Sequence, residues 1–289
     1  MLFNGVRKIG VMMKIWKFFL FPICVVLLPC VFVLPHWNLQ DIDEGEGDGS
    51  VQVYYINLDK AEERRVKIVP LLEKLNIPFE RITAVYGRDL SREEKDKLVN
   101  RTIFKILMKK DVVDGEIGCY LSHIRTWKTF LQSKHSYALI IEDDASFNPN
   151  ELKEVVDALI ANKDKWDYVN LDPSRTGKGR NIQNIYNKFN LVAPTQRVWL
   201  TTCQLINRKA AKCLLQHALP IRMPVDHYIY RTWEHGYKYR IVSPHVTKQN
   251  CNSTYIESER YKEKWYIIIP HQIHRMVSGV MCYLMAYFR

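Results

Sequence analysis

The sequence predicts an α/β domain built around a single, mostly parallel sheet. Strand-like runs without charge alternate along the chain with helical stretches, which is the order that parallel sheets require. The composition, with 47% hydrophobic and 25% charged residues, is that of an ordinary globular protein. It excludes disorder, collagen-like repeats and coiled coils for the chain as a whole. Beyond the first fifty residues about 240 remain, which is enough to bury one sizeable core.

The first fifty residues have the pattern of a membrane anchor. Residues 1–17 are basic, residues 18–35 are almost entirely apolar, and residues 36–50 are rich in Asp, Glu and Gly. An apolar run of about eighteen residues is near the lower limit for crossing a bilayer. Because the cations precede this run, we expect a cytoplasmic tail, an uncleaved transmembrane helix and a short acidic stem. A cleavable signal peptide is the alternative, although no small-residue cleavage site follows the apolar run.

Charge, cysteines and missing motifs narrow the function classes. The net charge of +11 favours anionic partners such as phosphates or acidic lipids. No nucleic-acid-binding motif is present, so nucleic acid is not an expected partner. The seven cysteines show no zinc-ligand spacing, so structural zinc is not expected. One disulfide bond is compatible with the sequence, which does not identify the pair. Without a Gly-rich dinucleotide fingerprint or a P-loop motif, Rossmann cofactors and P-loop NTPase activity are disfavoured.

The first half of the domain contains two predicted strands and three predicted helices. Residues 51–58 carry no charge before Asp59, which favours a strand buried on both faces. The elements that follow are a helix over 61–75, a strand over 79–85, an exposed charged helix over 91–99 and an amphipathic helix from Gly115. In the first of these helices, the residues expected to face the core recur in steps of three: Val66, Val69, Leu72 and Leu75.

The second half continues the alternation. The expected elements are strands over 137–141, 166–171, 197–206 and 237–242, and helices over 150–161, near 208–217 and over 225–235. Residues 172–196 are expected to be loops, with Gly177 and Gly179 among them. The tail over 265–289 mixes aliphatic and aromatic residues with few charges. We expect a core helix there, with an interfacial amphipathic helix as the alternative.

A run of three carboxylates follows the most apolar predicted strand. Glu142, Asp143 and Asp144 come directly after residues 137–141, where open α/β sheets bind their ligands. Carboxylate oxygens suit Mg²⁺ or Mn²⁺, which bridge a protein to phosphate oxygens. The alternative is a solvated acidic turn at the start of the following helix, where negative charge is favourable.

The end of the first strand has a similar pattern. Asn57, Leu58 and Asp59 close the strand, and Arg64 and Arg65 follow within the next helix. Asn and Asp can hydrogen-bond a nucleoside, and an arginine can pair with a diphosphate. The alternative is that Asp59 caps the helix while both arginines lie on its solvated face.

Four motifs in order resemble glycosyltransferase family 25, the family of lipooligosaccharide-biosynthesis proteins and procollagen galactosyltransferases. They are Tyr55-Ile56-Asn57-Leu58-Asp59 with Glu63-Arg64-Arg65; Ile82-Thr83-Ala84-Val85-Tyr86-Gly87; Gly115-Glu116-Ile117-Gly118-Cys119 with Leu121-Ser122-His123 and Trp127; and Leu139-Ile140-Ile141-Glu142-Asp143-Asp144. The resemblance covers about residues 51–150, and weaker similarity continues to Gln249 and Ser253. Each motif alone is weak, but four in this order are specific.

The resemblance implies a GT-A fold over 51–289 and an inverting transfer of a hexose, commonly galactose. The donor would be a UDP-sugar, and the acceptor would be a hydroxyl of a glycan, glycolipid or glycoprotein. The implied cofactor is Mn²⁺, or Mg²⁺, held by the acidic run with Asp144 as the main ligand. His245, where the family usually has an apolar residue, could complete the metal site. The metal offsets diphosphate charge and stabilises UDP as it leaves.

The resemblance also implies roles for individual residues. The segment Asn57 to Asp59 would hold uridine, and Arg64 or Arg65 would reach phosphate. The residues matching the family's helix-opening motif, whose free N–H groups could face the donor, are Gly115, Glu116, Ser122 and His123. His123 is equally compatible with a structural role. Asp226, in a Pro-Val-Asp segment, would take the acceptor proton as catalytic base, with an N-cap as the alternative.

Orientation and function each retain an alternative. Positive residues before the anchor predict a type II membrane protein whose catalytic domain faces the Golgi or ER lumen. In a bacterium, the alternative is the cytoplasmic face of the inner membrane. The alternative function is an inactive family member serving as an adhesion or scaffolding module. The intact Glu142-Asp143-Asp144 run argues against that alternative. The acceptor pocket is expected in the loops over 172–196.

Overall fold

The computed structural model describes residues 47–173, 178–250 and 265–288. The predicted basic tail, the apolar segment 18–35 and most of the acidic stem lie outside these residues, as does Ser253. Among the residues that are described, no helix has both the length and the apolar character needed to cross a membrane.

Strands and helices alternate through the described residues as the sequence predicts. The strands are β1 (Val51–Asn57), β2 (Phe79–Thr83), β3 (Tyr137–Glu142), β4 (Ala145–Phe147), β5 (Tyr168–Asn170), β6 (Gly179–Tyr186), β7 (Phe189–Pro194), β8 (Cys203–Asn207), β9 (Tyr239–Ser243) and β10 (Thr247–Gln249). The helices are α1 (Glu62–Glu73), α2 (Arg92–Leu98), α3 (Arg101–Met108), α4 (Asp114–Gln132), α5 (Pro149–Ala161), α6 (Arg208–Gln216), α7 (Val225–Ile229), α8 (Thr232–His235) and α9 (Trp265–Phe288).

The main sheet of the described chain has eight strands in the order β2-β1-β3-β8-β5-β9-β7-β6. β2, β1, β3, β5, β9 and β6 run in one direction, whereas β8 and β7 run in the opposite direction. The α/β prediction is therefore confirmed, and most strands share one direction. The pairing is mixed, because each reversed strand lies between two strands of the common direction. A short second sheet pairs β4 with β10 in antiparallel fashion.

The central strands β1 and β3 of the main sheet are buried on both faces. Tyr54 and Ile140 belong to one apolar cluster, and Val53 and Leu139 belong to another on the opposite face. This division follows from the alternation of side chains along a strand. The prediction that the first strand is buried on both faces is confirmed.

The predicted core face of α1 is wrong at Val66, which is 65% exposed. Leu72 and Leu75 are buried as predicted, and Ile68, which was not predicted, is buried as well. A helix has 3.6 residues per turn, so residues spaced by three drift steadily around its axis. Four residues in steps of three therefore cannot all face one core.

The prediction of loops over 172–196 is also wrong, because residues 179–194 form the β6–β7 hairpin at one edge of the sheet. β6 is polar and its side chains are exposed or half-buried, so it lacks the apolar alternation that identifies a strand. Polar edge strands of this kind discourage pairing with other chains. Phe189 and Leu191 of β7 are buried and anchor the hairpin.

The tail forms one helix, α9, as predicted, but the expectation of a core helix is wrong. One face packs on the domain through Ile267, His274, Ser278, Cys282 and Ala286. The opposite face is apolar and exposed. Composition alone does not distinguish a helix buried in the core from a helix with one exposed apolar face, because apolar residues occur on all sides of α9.

Candidate active site

The site begins where β1 and β3 end side by side. These strands are parallel neighbours, with Ile56 opposite Glu142. Asn57, which is fully buried, donates from Nδ2 to Asp143 Oδ2 at 2.7 Å. Two motifs separated by 86 residues therefore meet at the carboxyl edge of the sheet, where such folds bind ligands.

Arg64 of α1 reaches the acidic run. Its guanidinium donates to Asp143 Oδ1 at 2.9 Å and lies 3.7 Å from Asp144 Oδ2. Arg65 instead pairs with Glu62 on the outer face of α1. The structure thus brings Arg64, and not Arg65, to the predicted phosphate position.

Asp144 retains a carboxylate oxygen without a partner. Gln249 donates from Nε2 to Asp144 Oδ2 at 3.1 Å. The other oxygen, Oδ1, is buried and has no hydrogen-bond partner among the described residues. Burial, together with the negative charge of Glu142, raises the pKa of Asp144 to about 6. A buried acceptor of this kind is satisfied by a proton or by a cation.

Glu142 is held in its ionised form. Its Oε1 lies 3.2 Å from His123 Nε2 and accepts a hydrogen bond from Thr201 Oγ1 at 2.6 Å. Burial alone would raise the pKa of Glu142, but the contacts with His123 and Thr201 outweigh it and hold that pKa below its usual range. His123 itself is 1% exposed, so it supports Glu142 from within the core.

Two groups of side chains could hold a metal ion. The ligand atoms of Cys119, His123 and Glu142 lie within 4.8 Å of one another. Burial, followed by the charge of Glu142, holds the pKa of the Cys119 thiol well above its ordinary value. A protonated sulfur is a poor ligand for a hard cation such as Mn²⁺ or Mg²⁺. The unpartnered Asp144 oxygen beside Asp143 therefore fits such an ion better.

A cavity of about 170 Å³ lies in front of the acidic run. The predicted residues that line it are Leu58, Arg64, Gly115, Ser122, His123, Glu142, Asp143 and Asp144. Gly118 allows the turn after β2 to lie against α4, because a Cβ there would be 2.5 Å from the Val85 carbonyl oxygen. The Val85 N–H donates to Ser122 Oγ at 2.8 Å. This contact fixes the turn that forms one wall of the cavity.

A larger cavity of about 720 Å³ shares Cys119, Glu142 and Gln249 with the smaller one. Asp226, at the start of α7, lines only the larger cavity. Its Oδ1 accepts a hydrogen bond from the His227 backbone N–H at 2.8 Å. Glu142 thus lies at the boundary between the two cavities. The smaller one is lined by Leu58 and Arg64, which were predicted to contact a nucleotide, and the larger one by Asp226, the predicted base.

The remaining predicted residues lie further from the acidic run. Asp59 is exposed and pairs with Arg81, and it does not cap α1, whose N-cap has no side-chain bond. Glu116 is buried, accepts a hydrogen bond from Lys110, and lines the larger cavity. His245 lines a separate depression and neither of the two cavities.

Asp172 was not predicted from the sequence, yet it is buried beyond the end of β5. Its Oδ2 has no hydrogen-bond partner in the described part of the chain, and burial raises its pKa. The sequence contained a pattern that could have identified Asp172. Asn170-Leu171-Asp172 repeats the Asn57-Leu58-Asp59 pattern at the end of another strand. Thr201 and Arg197, which line the larger cavity, lie in an irregular segment that carries no such signal.

Known proteins similar to this chain include eukaryotic and bacterial sequences. Procollagen galactosyltransferase 1-A of Xenopus laevis is 28% identical over 191 residues, covering 62% of this chain and 30% of that protein. A glycosyltransferase 25 family member of Aedes aegypti is 31% identical over 191 residues, covering 63% and 30%. A putative glycosyltransferase of Haemophilus influenzae is 29% identical over 208 residues, covering 68% and 70%. The chain thus spans about 30% of the length of the first two relatives.

The chain is less similar to solved structures than to the protein sequences above. A crystal structure of a glycosyltransferase involved in the glycosylation of the major capsid of PBCV-1 has a TM-score of 0.41 and 11% identity. The similarity covers 78% of this chain and 99% of that one. The family description "Glycosyltransferase family 25 (LPS biosynthesis protein)" matches residues 50–229, which is more than half of the sequence. The chain belongs to glycosyltransferase family 25.

Proposed function

We propose that the chain transfers a hexose from a UDP-sugar to a hydroxyl group of a glycan, glycolipid or glycoprotein, with inversion at the sugar. Galactose is the proposed sugar, because similar proteins are named galactosyltransferases. The observation that carries the proposal is the position of Glu142, which borders both cavities at the end of β3. That geometry suits a donor in one cavity and an acceptor in the other.

The smaller cavity is the proposed donor site. Leu58 and the turn at Tyr86 would contact the nucleoside, and Arg64 would pair with the diphosphate. Gly115 lies in the first turn of α4, where free N–H groups and the helix dipole favour an anion. These groups would hold UDP in place before and after transfer.

A divalent cation, Mn²⁺ or Mg²⁺, is the proposed cofactor. Asp144 and Asp143 would hold it, since Asp144 Oδ1 is a buried oxygen without a partner among the described residues. When bound, the cation would offset the charge of the diphosphate and favour its departure. Arg64, already between the two aspartates, would share that role from the protein side.

Asp226 is the proposed catalytic base in the larger cavity. An inverting displacement needs one group to accept the proton of the attacking hydroxyl. Asp226 lines the acceptor side, and its bond from the His227 N–H fixes the carboxylate. Glu142 would remain ionised at the boundary, where its charge favours the positive character that develops on the sugar.

The apolar segment 18–35 is the proposed anchor of a type II membrane protein with its catalytic domain in the Golgi or ER lumen. The four cations before that segment and the acidic stem after it support this orientation. Protease treatment of sealed microsomes tests it. The domain should survive until detergent is added, and its digestion in intact microsomes would contradict the proposal.

The transfer reaction is tested by release of UDP from a panel of UDP-sugars, using the full chain with Mn²⁺, Mg²⁺ or EDTA. We expect turnover of one donor, its loss in EDTA, and at least a hundredfold loss with Asp144→Asn. Asp157→Asn is the matched control, because Asp157 is 55% exposed and lines neither cavity. A folded protein that neither turns over nor binds any UDP-sugar would favour a scaffolding module.

A further inference from the structure

Helix α9 presents an apolar surface to solvent. The side chains on this surface are between 36% and 82% exposed: Tyr266, Ile268, Ile269, Met276, Val280, Tyr283, Leu284, Tyr287 and Phe288. Elsewhere in the described residues, only Val66 and Leu219 are large hydrophobic side chains exposed to this degree. The largest apolar patch on a soluble monomer is usually about 300–600 Å² and often functional. A continuous row of nine such side chains therefore indicates a binding surface.

The opposite face of α9 is fastened to the domain at several points. His271 Nδ1 lies 2.7 Å from the Leu107 carbonyl oxygen near the start of the helix. Arg180 Nε donates to the Ala286 carbonyl oxygen at 2.8 Å near the end, and Ser278 is buried between them. Because the helix is docked in this way, its apolar surface faces away from the domain core.

The chemistry of this surface matches a lipid bilayer. Tyrosine is favoured at membrane interfaces because its ring is apolar and its hydroxyl is polar, and the surface carries Tyr266, Tyr283 and Tyr287. The helix contains no acidic residue, and its one formally charged side chain is Arg275. Arg180 lies beside the Tyr287 ring at 5.9 Å. Cations flanking an apolar helix face complement anionic headgroups.

A second copy of the chain is a poorer match. Helices that pair through an apolar seam usually place charged residues along both sides of it. Arg275 is the one formally charged side chain of α9 and no acidic residue lies in the helix, so no such pairs of charges can form along its exposed row. Because one face of α9 packs on the domain and the other is apolar and exposed, α9 is suited to lie on a bilayer.

We propose that α9 is an interfacial helix that seats the domain on an anionic membrane surface. Its exposed row inserts into the boundary between headgroups and acyl chains, while Arg275 and Arg180 contact the headgroups. The larger cavity is lined in part by Gln272 and Arg275 of the same helix, so this seating brings that cavity to the bilayer surface. The seating does not rest on the proposed transfer reaction.

Site-specific photocrosslinking tests this in the full chain. A benzophenone amino acid replaces Tyr283, which is 54% exposed, or Val66, which is 65% exposed and serves as the matched control. Each protein is reconstituted into vesicles of phosphatidylcholine with phosphatidylglycerol and irradiated. We expect lipid adducts at position 283, fewer in vesicles of phosphatidylcholine alone, and none at position 66. The control separates this contact from insertion of the segment 18–35.

A double substitution on the same surface gives a second test. Met276→Glu with Val280→Glu should reduce the lipid adducts at position 283 by more than about tenfold, because charges are costly at that depth. The melting temperature should not change, since Met276 is 62% and Val280 is 54% exposed. An absence of lipid adducts at 283 in the unsubstituted background overturns the proposal. A crosslink from 283 to a second copy, or to the segment 18–35, also overturns it by identifying a different occupant.

Discussion

Three adjacent carboxylates acquire different chemistry from their neighbours. Asp143 forms an ion pair with Arg64 and accepts a hydrogen bond from Asn57. Glu142 is ionised, because its contacts with His123 and Thr201 hold its pKa low. Asp144 has an unsatisfied oxygen in the described structure and a pKa raised to about 6. Three carboxyl groups in one short segment therefore differ in their charge state and in the partners that they already have.

Replacement of Asp226 should separate catalysis from donor binding. Asp226→Asn keeps the shape of the side chain but removes its ability to accept a proton, so we expect kcat to fall by about 10²–10⁴-fold. The dissociation constant for UDP with Mn²⁺ should stay within about twofold, because Asp226 lines only the larger cavity. Rapid-quench kinetics and calorimetry measure the two quantities. An equal loss in both would assign Asp226 a structural role.

The sequence predicted that these residues lie at the ends of strands, because charged and polar residues directly follow apolar runs. Open α/β sheets bind ligands at the carboxyl ends of their strands, which is where Asn57 and the acidic run were expected. That β1 and β3 are parallel neighbours, which joins Asn57 to Asp143, is known from the structure. The sequence did not predict Thr201 or Arg197, because an irregular segment has no period from which to infer direction. Nor did it place His245, whose separate depression depends on how β10 pairs with β4.

At the scale of elements, the contact between α4 and the turn after β2 depends on a glycine. Gly118→Ala should lower the free energy of unfolding by about 2 kcal/mol, because the new Cβ would overlap the Val85 carbonyl oxygen at 2.5 Å. It should also raise KM for the donor more than it lowers kcat, since Val85 lines the smaller cavity. Chemical denaturation and steady-state kinetics test both effects.

Gly279 provides the control for this substitution. It also lies within a helix, and a Cβ built there meets nothing within 4 Å. Gly279→Ala should therefore stabilise the protein by about 0.5–1 kcal/mol through the lower flexibility of alanine. If both alanine variants were equally stabilising, the close approach between α4 and the turn would not constrain the fold.

The docking of α9 should depend on pH through His274. Burial, followed by the charge of Arg231, lowers the pKa of His274 to about 3, whereas unfolded histidine has a pKa of about 6.5. The unfolded form therefore binds more protons between these values, and stability is lost as the pH falls below about 6.5. At pH 5 the expected loss is about 2 kcal/mol. The charged or titratable groups that face His274 are Arg197, His227, Arg231 and His271.

Hydrogen exchange along α9 measures this effect. Protection of α9 should fall between pH 7 and pH 5 after correction for intrinsic exchange rates, whereas protection of β3 should change less. His274→Gln introduces a side chain that does not titrate in this range. The protection of α9 should therefore depend less on pH in this variant. Equal pH dependence in the variant and the parent would assign the acid sensitivity to another group.

The elements also show where sequence patterns lose information. β1 and β3 were predictable because β1 has no charged residue, β3 has none before Glu142, and both are buried on both faces. β6 was not, because an edge strand with polar side chains resembles a loop in composition. The helical nature of α9 was predictable, but its burial was not, since an apolar helix can face a protein core or a membrane with the same residues.

At the scale of the whole molecule, one sheet separates two apolar clusters. Leu139 lies in one cluster and Ile140 in the other, and both side chains are fully buried. Leu139→Ala and Ile140→Ala should each cost about 2–5 kcal/mol. Both should shift the same single unfolding transition, because the clusters share the strand backbone between them. Denaturation followed by tryptophan fluorescence and circular dichroism tests this, and two separate transitions in either variant would contradict it.

The position of Cys119 has a practical consequence. Its side chain is half-buried and borders both cavities. Burial keeps the pKa of the thiol well above its ordinary value, so alkylation should be slow but measurable. A ligand in either cavity would shield the sulfur, so the modification rate would report occupancy without any turnover. The protein therefore carries a built-in chemical reporter, with which donor binding and acceptor binding could be followed separately and their order established.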